Sequence, residues 1–141
     1  MKLLLACALV LFISAPVSAA GTPCEKADTS FAKFLRQFGE NKQFQKRRIV
    51  LPLVARFGDY QMVAPEVKLM SSSELEKLDY PLFRSNEEMK RDGVAQSVLL
   101  STKRYAEVVQ DQADADSDRI LFKFRSIGGC WFLEELHDKS L

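Results

Sequence analysis

The chain has no surplus of either charge. Twenty Lys and Arg stand against nineteen Asp and Glu, a net charge of +1. Nucleic-acid binding wants a basic face or stripe, and an acidic membrane surface wants the same, so the balance points to neither partner. Histidine is nearly missing, with His137 the single example, and there are three cysteines and no Cys-x-x-Cys. That set holds no recognisable metal pair and no reactive thiol motif. His137 sits in Glu134-Glu135-Leu136-His137-Asp138, where neighbouring carboxylates can hold it at a wet strand end, and no nucleophile can be placed beside it. Long apolar runs are also lacking. The longest, Leu3 to Ile13, is too short to span a bilayer, which takes about 20 apolar residues.

What that run does resemble is the h-region of a secretory signal. Lys2 precedes it, and Ser14-Ala15-Pro16-Val17-Ser18-Ala19-Ala20 follows with small residues where a signal peptidase acts. Residues 1–20 therefore read as a signal peptide cleaved after Ala19 or Ala20, and residues 21–141 as one α+β domain. The expected location is the periplasm or the exterior, with no stable membrane insertion after cleavage. Lys2 is the only charge in the segment, so its removal leaves a chain close to neutral. About 120 remaining residues have room for one core.

Cysteine usage agrees with export. Cys7 leaves with the signal, and Cys24 and Cys130 remain to form one bridge in an oxidising compartment. A loop on the order of 100 residues closed in this way is worth about 4–5 kcal/mol in the chain-entropy model.

Phe31, Phe34, Leu35 and Phe38 recur at helical spacing and predict an amphipathic helix. Thr29 or Ser30 caps its start, Asp28 lies near the positive end of its dipole, and Gly39 with Asn41 supplies the stop. A second short helix, Lys42 to Arg47, folds back on the same core. Ile49 to Val54 is apolar and β-branched, and Pro52 makes it an edge strand or a bulged one. A turn at Phe57 to Tyr60 leads into an extended piece, about Tyr60 to Leu69. Ser71-x-x-Glu74 and Ser85-x-x-Glu88 are capping-box spacings for two short helices, the first reaching about Leu78 and the second ending near Gly93.

From Val94 the pattern is strand: Val94 to Leu100, Tyr105 to Val109, Ile120 to Arg125, then Gly128-Gly129 as a hairpin turn into Cys130 to Leu136. That turn would set Lys123 opposite Glu134 and Phe122 opposite Glu135, and a slip of one residue would exchange the faces. Helices first and a meander of strands after is an α+β plan, with N-terminal helices packed on one face of an antiparallel sheet.

Asp114-x-Asp116-x-Asp118 invites a calcium reading, yet an EF-hand loop starting there would need Gly and Glu where Arg119 and Arg125 stand, so it reads as a polar hairpin loop. No metal and no cofactor is expected. Arg36, Lys42, Lys46, Arg47 and Arg48 form a basic cluster, a candidate docking patch for an acidic partner. Tyr105, Trp131 and Glu134 or Glu135 are candidates to line a cavity between helix and sheet, Glu135 foremost.

Phe31-x-x-Phe34-x-x-x-Phe38, with Phe44-Gln45-x-x-Arg48-Ile49-x-x-Pro52-Leu53 and the trailing strands Ile120 to Phe124 and Trp131 to Leu133, resembles an uncharacterised family of exported bacterial proteins. That family falls in the nuclear transport factor 2-like, or cystatin-like cone, superfamily. The resemblance implies a strongly bent antiparallel sheet wrapped around an N-terminal helix pair, with a cavity at the open end. The superfamily holds isomerases, dehydratases and non-catalytic binding modules, so the fold leaves function open. The Asp–His and Tyr–Asp pairs of its enzymes have no match here, since Asp59, Asp79 and His137 lie in no such motif.

The expectation is therefore an exported, non-enzymatic binding protein with a protein partner, an effector or an envelope protein. Its most specific form is an immunity-type inhibitor of an antibacterial secreted effector. A small-ligand carrier or an isomerase/hydratase-type enzyme using the cone cavity is the alternative, and an envelope structural factor the third.

Overall fold

The computed structural model describes residues 24–58, 64–112 and 119–140. The expected signal peptide, the turn tip near Tyr60 and the Asp114–Asp118 loop lie outside these residues.

Helix α1 is Phe31–Glu40, started by Ser30, whose hydroxyl accepts from the Lys33 amide. Its buried face is Phe31, Phe34, Leu35, Phe38 and Gly39. Asn41 does two tasks: its amide donates to the Gln37 carbonyl and closes α1, while its side chain accepts from the Phe44 amide and opens α2, Lys42–Arg47. Gly39 lies inside the helix rather than at its stop. A methyl group there would meet the Arg84 carbonyl oxygen at 3.5 Å and the Phe83 ring at 3.6 Å, ordinary contact distances, so the position has room for alanine.

Strand β1, Ile49–Phe57, leads through β2, Glu66–Met70, into α3, Ser72–Glu76, and α4, Asn86–Asp92. Both short helices carry the full capping box, Ser71 with Glu74 and Ser85 with Glu88, and Gly93 closes α4 in the left-handed region. The first of them stops at Glu76, short of Leu78. Then come β3, Val94–Ser101, β4, Tyr105–Gln112, β5, Arg119–Ile127, and β6, Cys130–Asp138. The six strands form one curved sheet in the order β2-β1-β6-β5-β4-β3.

Three details differ from the sequence reading. First, the sheet is mixed: β1 runs parallel to β6, while the other pairings are antiparallel. The reason lies at the start of these two strands. Arg48, just before β1, accepts from the Leu133 amide at 2.8 Å, and Asp28 donates to Gly129 at 2.9 Å. Both strands thus set out from the same place. Second, β1 is an interior strand. It tolerates Pro52, which follows a cis peptide bond, because its register with β6 breaks between Ile49 and Val54. Of the two options Pro52 left open, the structure has the irregularity. Third, the last hairpin is offset. Gly128 and Gly129, both at positive φ, turn the chain as expected. An irregularity between Lys123 and Phe124 then pairs Lys123 with Glu135 and Phe122 with Leu136. Glu134 is the extra residue, and both glutamates are kept off the apolar side that Phe122 occupies.

The interior between α1 and the sheet is aromatic. Phe34, Phe38, Phe83, Phe122 and Phe124 are all fully buried. Phe124 meets Phe38 edge-on at 5.3 Å and Phe34 at 5.6 Å, and Phe83 meets Phe122 at 4.8 Å. Such pairs are worth about 0.5–1.5 kcal/mol each beyond burial. Gln45 bridges this plug, donating to the carbonyls of Phe38 and Phe83. At the far end, between Phe57, Met70, Leu82 and Leu136, the remaining gap is about 10 Å³.

Candidate binding groove

The basic cluster does not form one patch. The helical turn of α2 points its members in different directions, and the fold assigns them different partners. Arg48 is buried at 6 % exposure. Its two terminal nitrogens donate to the two carboxylate oxygens of Asp28 at 2.9 and 3.2 Å, and one of them also donates to the Trp131 carbonyl. Its guanidinium lies 4.8 Å from the Phe44 ring centre and 5.4 Å from that of Phe132. Arg48 is therefore removed from the predicted docking patch: a buried guanidinium needs a bidentate partner, and Asp28 is that partner. Lys42 reaches Glu88 at 3.2 Å and the Phe83 carbonyl, and Lys46 reaches Glu76 at 3.3 Å. These two tie α2 to α3 and α4.

Arg36 and Arg47 remain exposed, and neither makes an ion pair among the described residues. Both line a groove of about 1230 Å³ between the 24–29 segment, α1, α2 and Phe132. Lys26 and Lys33, also exposed and without an ion pair among the described residues, share its rim with two carboxylates, Glu25 and Glu40. Phe34, Phe44 and Phe132 contribute to its lining.

The 24–29 wall of this groove is fixed by a disulfide and by the hydrogen bonds of Asp28. Cys24 is bonded to Cys130, with their Cα atoms 5.9 Å apart. The Asp28 amide donates to Gly129, and the Asp28 carboxylate accepts from the Trp131 amide at 2.7 Å as well as from Arg48. Sequence reasoning placed Asp28 at a helix dipole and missed this role. No local signal marks it, because the burial of Arg48 that calls for a carboxylate is set by the packing of Phe44 and Phe132 around it.

The three residues predicted to line a cavity are not brought together. Tyr105 is half exposed at the start of β4. Trp131 is buried as packing, its ring 4.8 Å from that of Phe31. Glu135 pairs with Arg56 and Lys123, both at 3.0 Å. Burial pushes its carboxyl up, but the hydrogen bonds and charges of those two cations outweigh it and hold the group below its ordinary value. His137 is half-buried with Nε2 3.2 Å from the Gly58 carbonyl oxygen. Among the described residues no group of three or more His, Cys, Asp or Glu is placed to hold a metal, and no helix is long and apolar enough to cross a membrane.

A second cleft, about 570 Å³, opens beside the plug between α1 and β3, lined by Leu35, Phe83, Met89, Gln96 and Val98. Gln110 closes the sheet behind it. Its side chain accepts from the Arg84 amide, and donates to the Arg84 carbonyl and to Gln96, standing in for a strand partner.

Helices plugging a curved sheet, with a groove outside the plug, define a nuclear transport factor 2-like α+β cone. Solved structures agree. The chain superposes on an NTF2-like protein from Bacteroides fragilis NCTC 9343 with a TM-score of 0.54 at 17% identity, over 85% of this chain and 51% of the other. It thus spans about half the length of that relative. A cystatin-like protein from Bacteroides caccae ATCC 43185 gives a TM-score of 0.52 at 17% identity, covering 80% of this chain and 77% of the other. No family model and no curated protein matches the sequence. At these identities the likeness defines the fold and leaves function to the site.

Proposed function

We propose that this chain is an exported, non-enzymatic binding protein whose α1–α2 groove receives an acidic segment of a protein partner. The observation that carries the reading is the set of four exposed cations, Lys26, Lys33, Arg36 and Arg47, which have no ion-pair partner among the described residues and are gathered on one groove whose wall is covalently fixed. A rim of unpaired cations gives attraction and orientation to an acidic segment, and a fixed wall lowers the ordering cost of binding. The phenylalanine-filled interior weighs against a small-ligand carrier or a cavity enzyme between helix and sheet. An immunity-type inhibitor of a secreted antibacterial effector is the specific form we favour, since such a protein needs a rigid surface and no chemistry. Export would follow from residues 1–20 acting as a signal peptide, and a bonded cysteine pair suits an oxidising compartment.

The direct test is titration of a fluorescent oligoglutamate peptide into the oxidised protein. Binding that weakens with salt and falls at least about tenfold in the Arg36→Glu/Arg47→Glu variant is expected. Binding unchanged in that variant refutes the groove. Deleting the encoding gene and challenging the cells with toxin-bearing rivals addresses the immunity role: unaltered survival rules it out while leaving the groove standing.

A further inference from the structure

The groove wall is pinned at two points of unlike chemistry. At Asp28 the ties are hydrogen bonds: its amide donates to the Gly129 carbonyl, and its carboxylate accepts from the Trp131 amide and from Arg48. At Cys24 the tie is the bond to Cys130. Between these points Glu25, Lys26 and Ala27 are exposed, and among the described residues they make no hydrogen bond to a strand. They keep their place in the wall because both ends are held. The two sulfurs also differ in access. Cys24 is half-buried in the groove lining, whereas Cys130 is buried at 1 % exposure. An incoming thiolate therefore reaches the Cys24 sulfur first.

We propose that the Cys24–Cys130 bond is a redox control on the groove, resting on the groove being the site for an acidic segment. Oxidised, the bond holds the wall in its binding shape; reduced, residues 24–27 come free while the fold persists. The chemistry is exchange with a dithiol. One thiolate of the reagent attacks the Cys24 Sγ, the S–S bond breaks, and its electron pair leaves on the Cys130 Sγ, which takes up a proton. The reagent's second thiolate then displaces the Cys24 Sγ from the mixed disulfide, so the dithiol is oxidised to a disulfide and the protein ends with two thiols. The fold has reason to survive the change. The aromatic plug contains neither cysteine, and Asp28 keeps its ties to Arg48, Gly129 and Trp131. Glu25 and Lys26 are released together, so the effect runs through order and not through net charge. A free wall must be ordered again each time the partner binds, a cost that a pinned wall avoids.

Titration of the fluorescent oligoglutamate peptide into oxidised protein, and into protein held reduced by dithiothreitol, tests the control. Affinity should be at least about fivefold weaker in the reduced protein and should return on reoxidation, with the same dependence on salt in both states. Cys24→Ser with Cys130→Val, which keeps an apolar side chain in the buried place of Cys130, should bind as the reduced protein does and ignore dithiothreitol. Limited trypsin digestion reads the wall without any peptide: cleavage after Lys26 should quicken at least about tenfold on reduction, while Lys33 and Arg36 in α1 stay protected. Failure of the peptide to bind the oxidised protein refutes the groove, and the control falls with it. Equal binding in the two redox states overturns the control alone and leaves the groove standing, as does unchanged cleavage after Lys26. A reduced protein that loses its circular dichroism signal also overturns the control, because the bridge is then a staple of the whole fold.

Discussion

Around the start of β6 the chain answers a buried charge with a bidentate partner, a bridge and three backbone ties; along β3 it presents eight residues with no charge at all. The difference separates two uses of one sheet. Near β6, polar groups are enclosed, so they must be matched within the chain, and their value lies in fixing where the 24–29 segment sits. Along β3, polar backbone is left at the edge, where water satisfies it. Damage to the first region should therefore change stability, and damage to the second should change it little.

The largest effect is expected at Arg48. Arg48→Ala strands the Asp28 carboxylate, at 10 % side-chain exposure, without its cation, and should destabilise the fold by about 3–5 kcal/mol in denaturant unfolding. Arg48→Met with Asp28→Asn removes both charges and should recover a good part of that loss. If the double variant is as unstable as the single one, the pair contributes stability of its own and the distinction drawn above fails. Next comes the bridge. Cys24→Ser with Cys130→Ser should lower stability by about 2–5 kcal/mol in the same unfolding, since the cross-linked residues are 106 apart in sequence. No loss would mean that the hydrogen bonds of Asp28 hold the segment unaided.

The smallest effect concerns pH. Glu74 is held down to about 2, first by the hydrogen bond from the Ser71 amide, then by the Ser71 hydroxyl and Lys68. Glu135, on β6, is also held below its ordinary value, burial opposing and Lys123 and Arg56 prevailing. A carboxyl lowered in the folded state contributes stability that is fully present above its ordinary value of 4.5 and is lost as pH falls through the folded value. Stability should thus decline from about pH 5 downward, and Glu135→Gln should make that decline shallower. An equally steep decline in Glu135→Gln would show that the paired cations do not act through this carboxyl.

Much of this was legible one residue at a time. Both capping boxes, the Asn41 stop, the aromatic stripe of α1 and the Gly128-Gly129 turn are signals carried within a few residues, so local chemistry sufficed to place them. The register of the last hairpin was not legible, because one extra residue at Glu134 is invisible to alternation and changes which carboxylate meets Lys123. The basic cluster misled for a related reason. Consecutive positions on a helix face different directions, so Arg47 and Arg48 are neighbours in sequence and opposites in environment, one at the surface and one within the core. Phe83 and Gln110 gave no pattern at all. Their roles depend on contacts with Phe122 and Arg84, which local spacing does not encode.

By itself the sequence determined the class of fold, the helix boundaries near their caps and the pairing of Cys24 with Cys130, because periodicity, capping and the count of cysteines act locally or leave one solution. Only the tertiary structure decided that β1 and β6 run parallel, that the cone is filled with phenylalanine, that Arg48 is a buried partner of Asp28, and that the free cations and the uncharged edge lie at different parts of the sheet. Those outcomes rest on which surfaces are removed from water together, and burial is a property of the whole chain.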